Sequence, residues 1–311
     1  MSDIVISEFM DEAAVSGLRS RFEVLYEPTL VNDPGRLSNA LHGARALIVR
    51  NRTQVDADLL GSTGSLRVVG RLGVGLDNID QEMCAARNIQ VVPATGANNT
   101  AVAEYVVASM LLLVRGAFGA NEAMLAGEWP RSRLIGGEVS GRTLGLVGFG
   151  GIAREVASRA RAMGLEVHAF DPALAKDAPC WKALQVNCAD SLEELLVGSD
   201  VVSLHVPLTP HTRHLIDGGK LALMRSNAIL INTARGGVID DAALADALRT
   251  GRIGGAAVDV FETEPLPADS VYRDTPNLLL TPHIAGVTCE SNIRVSAMIA
   301  RAVGRILETA A

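Results

Sequence analysis

"TLGLVGFGGIAREVASRA", residues 143–160, sets a β-rich run, Leu144–Gly148, directly before a glycine turn and a stretch of helical periodicity. Gly148, Gly150 and Ala153 fall at the spacing G-x-G-x-x-A. Glycine at 148 allows the tight turn, glycine at 150 lets the backbone approach a pyrophosphate, and the small residue at 153 lets helix and strand pack closely. The helix opening, Gly151 and Ile152, then offers unpaired N–H groups and a partial positive charge to phosphates. A bare glycine triplet is a weak signal, because ordinary strand-to-helix turns carry glycine too. Here the next strand-like run, Val167–Phe170, ends at Asp171, near the offset of about 20 residues where an acid meets the adenosine ribose hydroxyls. A carboxylate there repels a 2′-phosphate, and Pro172-Ala173-Leu174 supply no arginine to receive one. The pattern predicts NAD rather than NADP.

Outward from this motif, short apolar runs alternate with helical patterns along most of the chain, which argues for parallel sheets covered by helices on both faces. Candidate strands before it are Asp3–Ile6, Phe22–Tyr26, Ala46–Val49, Leu66–Gly70 and Ile89–Val92; after Val167–Phe170 come Val201–Leu204, Ile229–Ile231, Ala256–Val260 and Leu278–Leu280. The second series therefore predicts six strands, a complete doubly wound sheet. Between the two series lies a helix-like stretch, Thr100–Ala117, apolar on nearly every face and so expected to be buried between domains or subunits. The fold class read here is α/β, with two doubly wound parallel-sheet domains in tandem. A last helix-like segment, Asn292–Leu307, has no strand after it and can fold back onto either one.

Composition bounds the function. The 311 residues are 48% hydrophobic, too apolar for a disordered chain. The 28 Lys and Arg against 35 Asp and Glu leave a net charge of -7, which repels nucleic-acid backbones and anionic membranes at long range. Cys84, Cys180, Cys188 and Cys289 are scattered without a C-x-x-C pair, so free thiols in a reducing, cytoplasmic setting are expected. The N-terminus lacks a secretion signal, and the longest apolar stretch, Tyr105–Val114, is about half the length a bilayer requires.

In open α/β sheets the chemistry gathers at the carboxyl ends of the strands. There the sequence presents Arg235 in "TARGG", Asp259, Glu262 and Glu264 in "DVFETEP", and His283 in "TPHIAG". Singly, each reads as an ordinary solvated loop residue. Together they supply a cation to orient a carboxylate, a titratable base and an acid to hold that base, the parts needed for hydride transfer on an alcohol. His211 and His214, spaced His-x-x-His in "LTPHTRHLI", have no third ligand nearby, so no metal is expected. His205 follows a strand at the cofactor edge and reads as structural.

"GRLGVGLDNID", "GLVGFGGIA", "INTARGGVID", "AAVDVFETEP" and "TPHIAG", in this order, resemble the motifs of the D-isomer-specific 2-hydroxyacid dehydrogenase family, in the branch that includes 3-phosphoglycerate dehydrogenase. The resemblance covers essentially the whole chain. It implies a flavodoxin-like substrate domain, residues 1–97 plus 288–311, a Rossmann NAD-binding domain, residues 98–287, and a cleft between them that closes over the ligands. It implies Arg235, Glu264 and His283 as the catalytic residues: His283 takes the hydroxyl proton, Glu264 hydrogen-bonds the imidazole and raises its pKa, and Arg235 binds the carboxylate. It implies a cofactor set of Gly148, Gly150, Gly151, Ile152, Asp171, Val206, Pro207, Thr212, Thr233, Ala234 and Asp259, the last near the nicotinamide carboxamide. Val74 and Gly75 match the loop whose N–H groups hold the substrate carboxylate. Thr100–Ala117 and the loop around Trp129 resemble dimer-forming elements, so a homodimer is expected. Ala153 stands where the fingerprint has its third glycine, and the chain ends at Ala311, so no C-terminal regulatory domain is expected.

"VRNRTQV", residues 49–55, places Arg50 and Arg52 after a buried strand. With one carboxylate already met by Arg235 and the Val74-Gly75 backbone, these cations, with Asn51, point to a second anionic group on the substrate, as in 3-phosphoglycerate or 3-sulfolactate. Alternation along an extended segment would send both arginines to one face; a strand cap facing solvent is the plainer alternative. A glyoxylate or hydroxypyruvate reductase, or a non-catalytic NAD-sensing protein of the corepressor type, remain the rival functions.

Overall fold

The computed structural model describes residues 2–309. The chain divides into two compact units: residues through Asn98 together with those from Val287 form one, and Asn99–Gly286 the other.

The first unit holds a five-stranded sheet of β1 (Ile4–Ile6), β2 (Val24–Tyr26), β3 (Ala46–Val49), β4 (Val68–Arg71) and β5 (Gln90–Pro93). All pairings are parallel, in the order β2-β1-β3-β4-β5. β1 and β3 are buried at every position, as expected of strands covered on both faces. Their side chains alternate between two cores: Ile4, Ile6, Ala46 and Ile48 pack on one face, Val5, Leu47 and Val49 on the other. Removing one such side chain, as in Ile48→Ala, costs about 2–5 kcal/mol. The helices Glu12–Arg19, Pro34–Ala40, Ala57–Gly61 and Gln81–Ala86 each start behind an aspartate, Asp11, Asp33, Asp56 and Asp80, whose side chain accepts first-turn N–H bonds. The long helix Cys289–Thr309 packs Val295, Ile299, Val303 and Leu307 into this unit's core. Gly70 of β4 makes room for it, since a Cβ there would lie 2.7 Å from Ile299.

The second unit holds β6 (Thr143–Val147), β7 (Glu166–Phe170), β8 (Asn187–Cys188), β9 (Val201–Leu204), β10 (Ile229–Asn232), β11 (Gly255–Val258) and β12 (Leu278–Leu280). They pair in parallel in the order β12-β11-β10-β9-β6-β7-β8. The sheet therefore has seven strands, not six. The extra strand, β8, is two residues on the edge beside β7, too short to leave a periodic pattern in sequence. The helix Asn99–Arg115 packs Val102, Val106 and Met110 with Ala153, Val156, Ala157 and Ala160 of the cofactor-motif helix Gly151–Ala162. The alanine seam lets the helices approach, while Leu111 and Leu112 stay exposed.

Each sheet reverses its winding once, and strands diverge there to leave a crevice at their carboxyl ends. In the first unit the reversal lies between β1 and β3; in the second it lies between β6 and β9. Among the described residues, no helix is long and apolar enough to cross a membrane.

Candidate active site

β10, β11 and β12 are neighbours in the second sheet, and each ends in one of the three residues the sequence singled out. Arg235 follows β10, Glu264 follows β11, and His283 follows β12. Asn232, the last residue of β10, fastens the first turn: its Oδ1 accepts from the Ala234 N–H at 3.0 Å and its Nδ2 donates to the Arg235 carbonyl at 3.0 Å. The Arg235 guanidinium donates to the Ala234 carbonyl at 2.6 Å. Gly236 lets this turn press against the β11 loop, because a Cβ there would sit 1.9 Å from the Phe261 carbonyl oxygen.

Glu264 Oε2 lies 2.8 Å from His283 Nδ1, and Glu264 Oε1 accepts the Phe261 N–H at 3.1 Å. A carboxylate at Nδ1 fixes the proton on that nitrogen and leaves Nε2 as the one that exchanges a proton. Burial pushes the Glu264 carboxyl up, but the His283 and Phe261 hydrogen bonds and the His283 and Arg235 charges outweigh it and hold it below its ordinary value. The pair stays reachable, with 36% of the His283 and 33% of the Glu264 side chain exposed.

Asp259, fully buried, is a clamp on the His283 loop. Its Oδ1 accepts from Thr281 Oγ1 at 2.5 Å and the Ile284 N–H at 2.8 Å, and its Oδ2 accepts the Ala285 N–H at 2.8 Å. Its carbonyl accepts the His283 N–H at 2.8 Å. His283 itself has φ +53, a left-handed conformation uncommon outside glycine and asparagine that this scaffold holds in place.

The cofactor motif sits at the second unit's reversal point. Gly148 has φ +88, and a Cβ there would lie 2.6 Å from the His205 carbonyl oxygen at the end of β9. Gly150, by contrast, faces open space where a Cβ would go. It caps the helix Gly151–Ala162, whose first turn receives no side-chain cap, so backbone donors there are available to an anion. The two Asp171 oxygens accept the Phe149 N–H at 2.8 Å and the Ala173 N–H at 2.9 Å, each keeping a lone pair for a hydroxyl. Thr233 Oγ1, just past β10, is buried without a hydrogen-bond partner among the described residues. The open space at Gly150 and this orphan hydroxyl are what a bound dinucleotide would fill. Val206 and Pro207 follow β9, and Thr212 closes their loop by donating from Oγ1 to the Pro207 carbonyl at 2.6 Å. His205 lies 3.0 Å from Ser203 Oγ, and desolvation pushes its imidazole down to about 4, so it is neutral near pH 7. His214 Nε2 lies 2.6 Å from Glu262 Oε1, and no group of three metal-ligating side chains occurs among the described residues.

The first unit's reversal point holds the other predicted set. The extended segment ends at Val49, so the alternation expected of Arg50 and Arg52 does not apply; the chain bends through residues 51–53. Arg50 turns to Asn292, Nη2 to Oδ1 at 2.9 Å, while Arg52 turns to Asn32, Nη2 to Oδ1 at 2.6 Å. Glu8, buried just past β1, crosses the crevice and accepts the N–H groups of Arg50 at 2.8 Å, Arg52 at 3.2 Å and Thr53 at 3.0 Å. Burial lowers the Arg50 guanidinium, and the Glu8 charge opposes that shift. Asn78 Nδ2 ties the same loop through the Arg50 and Thr53 carbonyls, at 3.2 and 2.7 Å. Val74 and Gly75 follow β4, the next strand, whose exit is joined to β3 by the Leu72 N–H to Val49 carbonyl bond.

Residues 107–285 match the family model of the D-isomer-specific 2-hydroxyacid dehydrogenase NAD-binding domain. The chain belongs to this family. It is 55% identical over 296 residues to the (S)-sulfolactate dehydrogenase of Chromohalobacter salexigens, covering 95% of each chain. It is 38% identical over 307 residues to the D-3-phosphoglycerate dehydrogenase of Methanocaldococcus jannaschii, covering 99% of this chain and 58% of that one, so it spans little more than half the length of that relative. The crystal structure of the TT0316 protein from Thermus thermophilus superposes with a TM-score of 0.90 at 34% identity, covering 98% of this chain and 97% of the other. This 2-hydroxyacid dehydrogenase is therefore an NAD-dependent oxidoreductase acting on a CH–OH group. Sequence reading missed the dehydrogenase's supporting residues, Glu8, Asn78, Asn232 and Thr281. For Glu8 the one local signal was an acid directly after a buried strand.

Proposed function

We propose that the enzyme oxidises and forms a small D-configured 2-hydroxyacid that carries a second anionic group on C3, with 3-sulfolactate the best match. The observation that carries this reading is the first unit's reversal point. Glu8 already engages three backbone donors of the 50–53 loop, so the cations left for an anion in this crevice are the Arg50 and Arg52 side chains, which would turn from Asn292 and Asn32 to meet it, with Asn51 between them. A sulfonate or phosphate needs such cations; glyoxylate offers nothing for them. The similarity to a sulfolactate dehydrogenase supports the sulfonate.

In this reading His283 Nε2 takes the C2 hydroxyl proton on oxidation and returns it on reduction. Glu264 holds Nδ1–H and so keeps the imidazole aimed. Arg235 binds the carboxylate and polarises the C2 oxygen, joined by the Val74 and Gly75 N–H groups. Gly148, Gly150, Gly151, Ile152, Asp171, Val206, Pro207, Thr212, Thr233, Ala234 and Asp259 would hold NAD, whose nicotinamide would serve as the hydride acceptor. Asp259 would reach the carboxamide through the lone pairs its loop bonds leave over.

The stereochemical label follows from bonding alone. Sulfur on C3 outranks the carboxylate oxygens in the priority rules, so the arrangement written D or R for lactate is written S for sulfolactate. A D-specific enzyme should therefore use the (S) isomer.

Phe118, Leu125, Trp129 and Ile135, each at least 68% exposed, support a homodimer formed through the segment that carries them. The unpaired thiols support a reducing, cytoplasmic setting. A panel of (S)- and (R)-3-sulfolactate, 3-phosphoglycerate, glycerate and glyoxylate, assayed with NAD or NADH, tests the whole reading. The (S)-sulfolactate kcat/KM should lead by about tenfold or more, one well-made charged contact. A lead for glyoxylate would remove the second anion, and a lead for the (R) isomer would remove the configuration.

A further inference from the structure

The hydroxyl of Tyr105 lies 2.5 Å from Thr281 Oγ1, and Thr281 Oγ1 lies 2.5 Å from Asp259 Oδ1. A threonine hydroxyl has one proton, and the buried carboxylate takes it. The tyrosine must then donate to Thr281, which gives the chain one direction: Tyr105 O–H to Thr281 O–H to Asp259. Chains of this kind strengthen each member through polarisation. Burial pushes the Tyr105 hydroxyl up from its ordinary value, which keeps the proton this direction requires.

At the other end of this chain is the His283 loop. Asp259 holds the Ile284 and Ala285 N–H groups on one side of the histidine and the Thr281 hydroxyl on the other. Between those anchors His283 keeps φ +53. The two downstream anchors are backbone bonds. Upstream, backbone bonds from Thr281 N–H to the Val258 carbonyl and from His283 N–H to the Asp259 carbonyl are joined by the Thr281 hydroxyl, a rotatable group that Tyr105 and Asp259 hold between them.

We propose that Tyr105 is a positioning residue for His283, acting through Thr281 and Asp259. This rests on reading His283 as the proton-transfer residue. Tyr105 reaches neither proton donor nor acceptor of the reaction itself; its hydroxyl adds to how tightly the loop that carries the histidine is held. A displacement of about 1 Å in a reacting group is enough to lower turnover about a hundredfold, so partial slack produces a smaller but readable loss.

The experiment compares Tyr105→Phe, Thr281→Val, the double variant and Thr281→Ser with the full-length parent. NADH oxidation is followed with glyoxylate and with 3-sulfopyruvate, and hydrogen exchange is read at the Ile284 and Ala285 amides. Tyr105→Phe should lower kcat about three- to tenfold, the value of one hydrogen bond, with KM for NADH unchanged and both amides exchanging faster. Thr281→Val should lower it at least as much, the double variant no further, and Thr281→Ser should keep most of the activity. Unchanged kcat in Tyr105→Phe overturns the proposal whatever happens to Tm, and so does a double variant whose losses multiply. His283→Asn separates the two readings. If it retains activity, the assignment of the histidine fails, and the exchange rates alone then judge the Tyr105 brace: unchanged exchange in Tyr105→Phe overturns it.

Discussion

Arg50 and Arg52 leave one strand end and diverge, one to Asn292 and one to Asn32, so their contributions to an anion should be separable. Arg52 is the more exposed. Arg52→Ala should raise KM for 3-sulfolactate about ten- to a hundredfold, the loss of one charge-assisted contact, while KM for glyoxylate changes little. Steady-state kinetics on both substrates checks this, and equal shifts would refute it. His205 offers a pH test. Its folded-state value of about 4 lies below the ordinary 6.5, so the unfolded chain takes up a proton first as pH falls. The stability it contributes is complete above 6.5 and is lost between there and about 4. Across that window Tm of the parent should fall more than Tm of His205→Asn, and parallel losses in thermal unfolding at about pH 7 and about pH 4.5 would contradict the assignment. Glu8 shows why such residues escape a reading of sequence. Its partners lie 42 to 45 positions away, and only the pairing of β1 with β3 brings them together.

At the scale of elements, the strand, glycine turn and helix of residues 143–162 were legible because every constraint is local: the spacing, the small residue and the following acid all lie within one βαβ unit. What escaped were features without a local pattern. β8 is two residues long, and the bend after Val49 depends on a glutamate from another strand. The two glycines of the turn have different physical duties and so predict different variants. Gly148→Ala must adopt φ +88 and press a methyl against the His205 carbonyl, so it should lower stability by about 1–3 kcal/mol. Gly150→Ala meets nothing in the protein and should leave Tm unchanged while weakening NADH binding about tenfold or more. Thermal unfolding beside NADH fluorescence titration checks both; a fall in Tm for Gly150→Ala would show that the glycine serves the fold instead.

For the whole molecule, the alternation of strands and helices made two parallel sheets legible, but strand order was not, and order is what puts Arg235, Glu264 and His283 on three adjacent strands. The exposed aromatic and aliphatic residues between Phe118 and Ile135 belong to this scale too, because the described residues leave them uncovered. On the proposed homodimer, the parent should run as a dimer and Trp129→Glu as a monomer by light scattering after gel filtration, since a buried carboxylate without a partner opposes association by several kcal/mol. A monomeric parent would overturn the dimer, and an unchanged dimer mass in the variant would overturn this interface.

Glu8 grips main-chain atoms, which every residue type but proline provides. Positions 50 and 52 can therefore change identity without unfastening the loop, and Asn51, whose N–H Glu8 does not hold, is freer still. The side chains at 50–52 and the hold on the loop are in this way separately adjustable. If residues 50–52 meet the distal group of the substrate, a saturation library at 51 and 52 should alter the preference among sulfonated, phosphorylated and uncharged hydroxyacids while Tm stays near that of the parent.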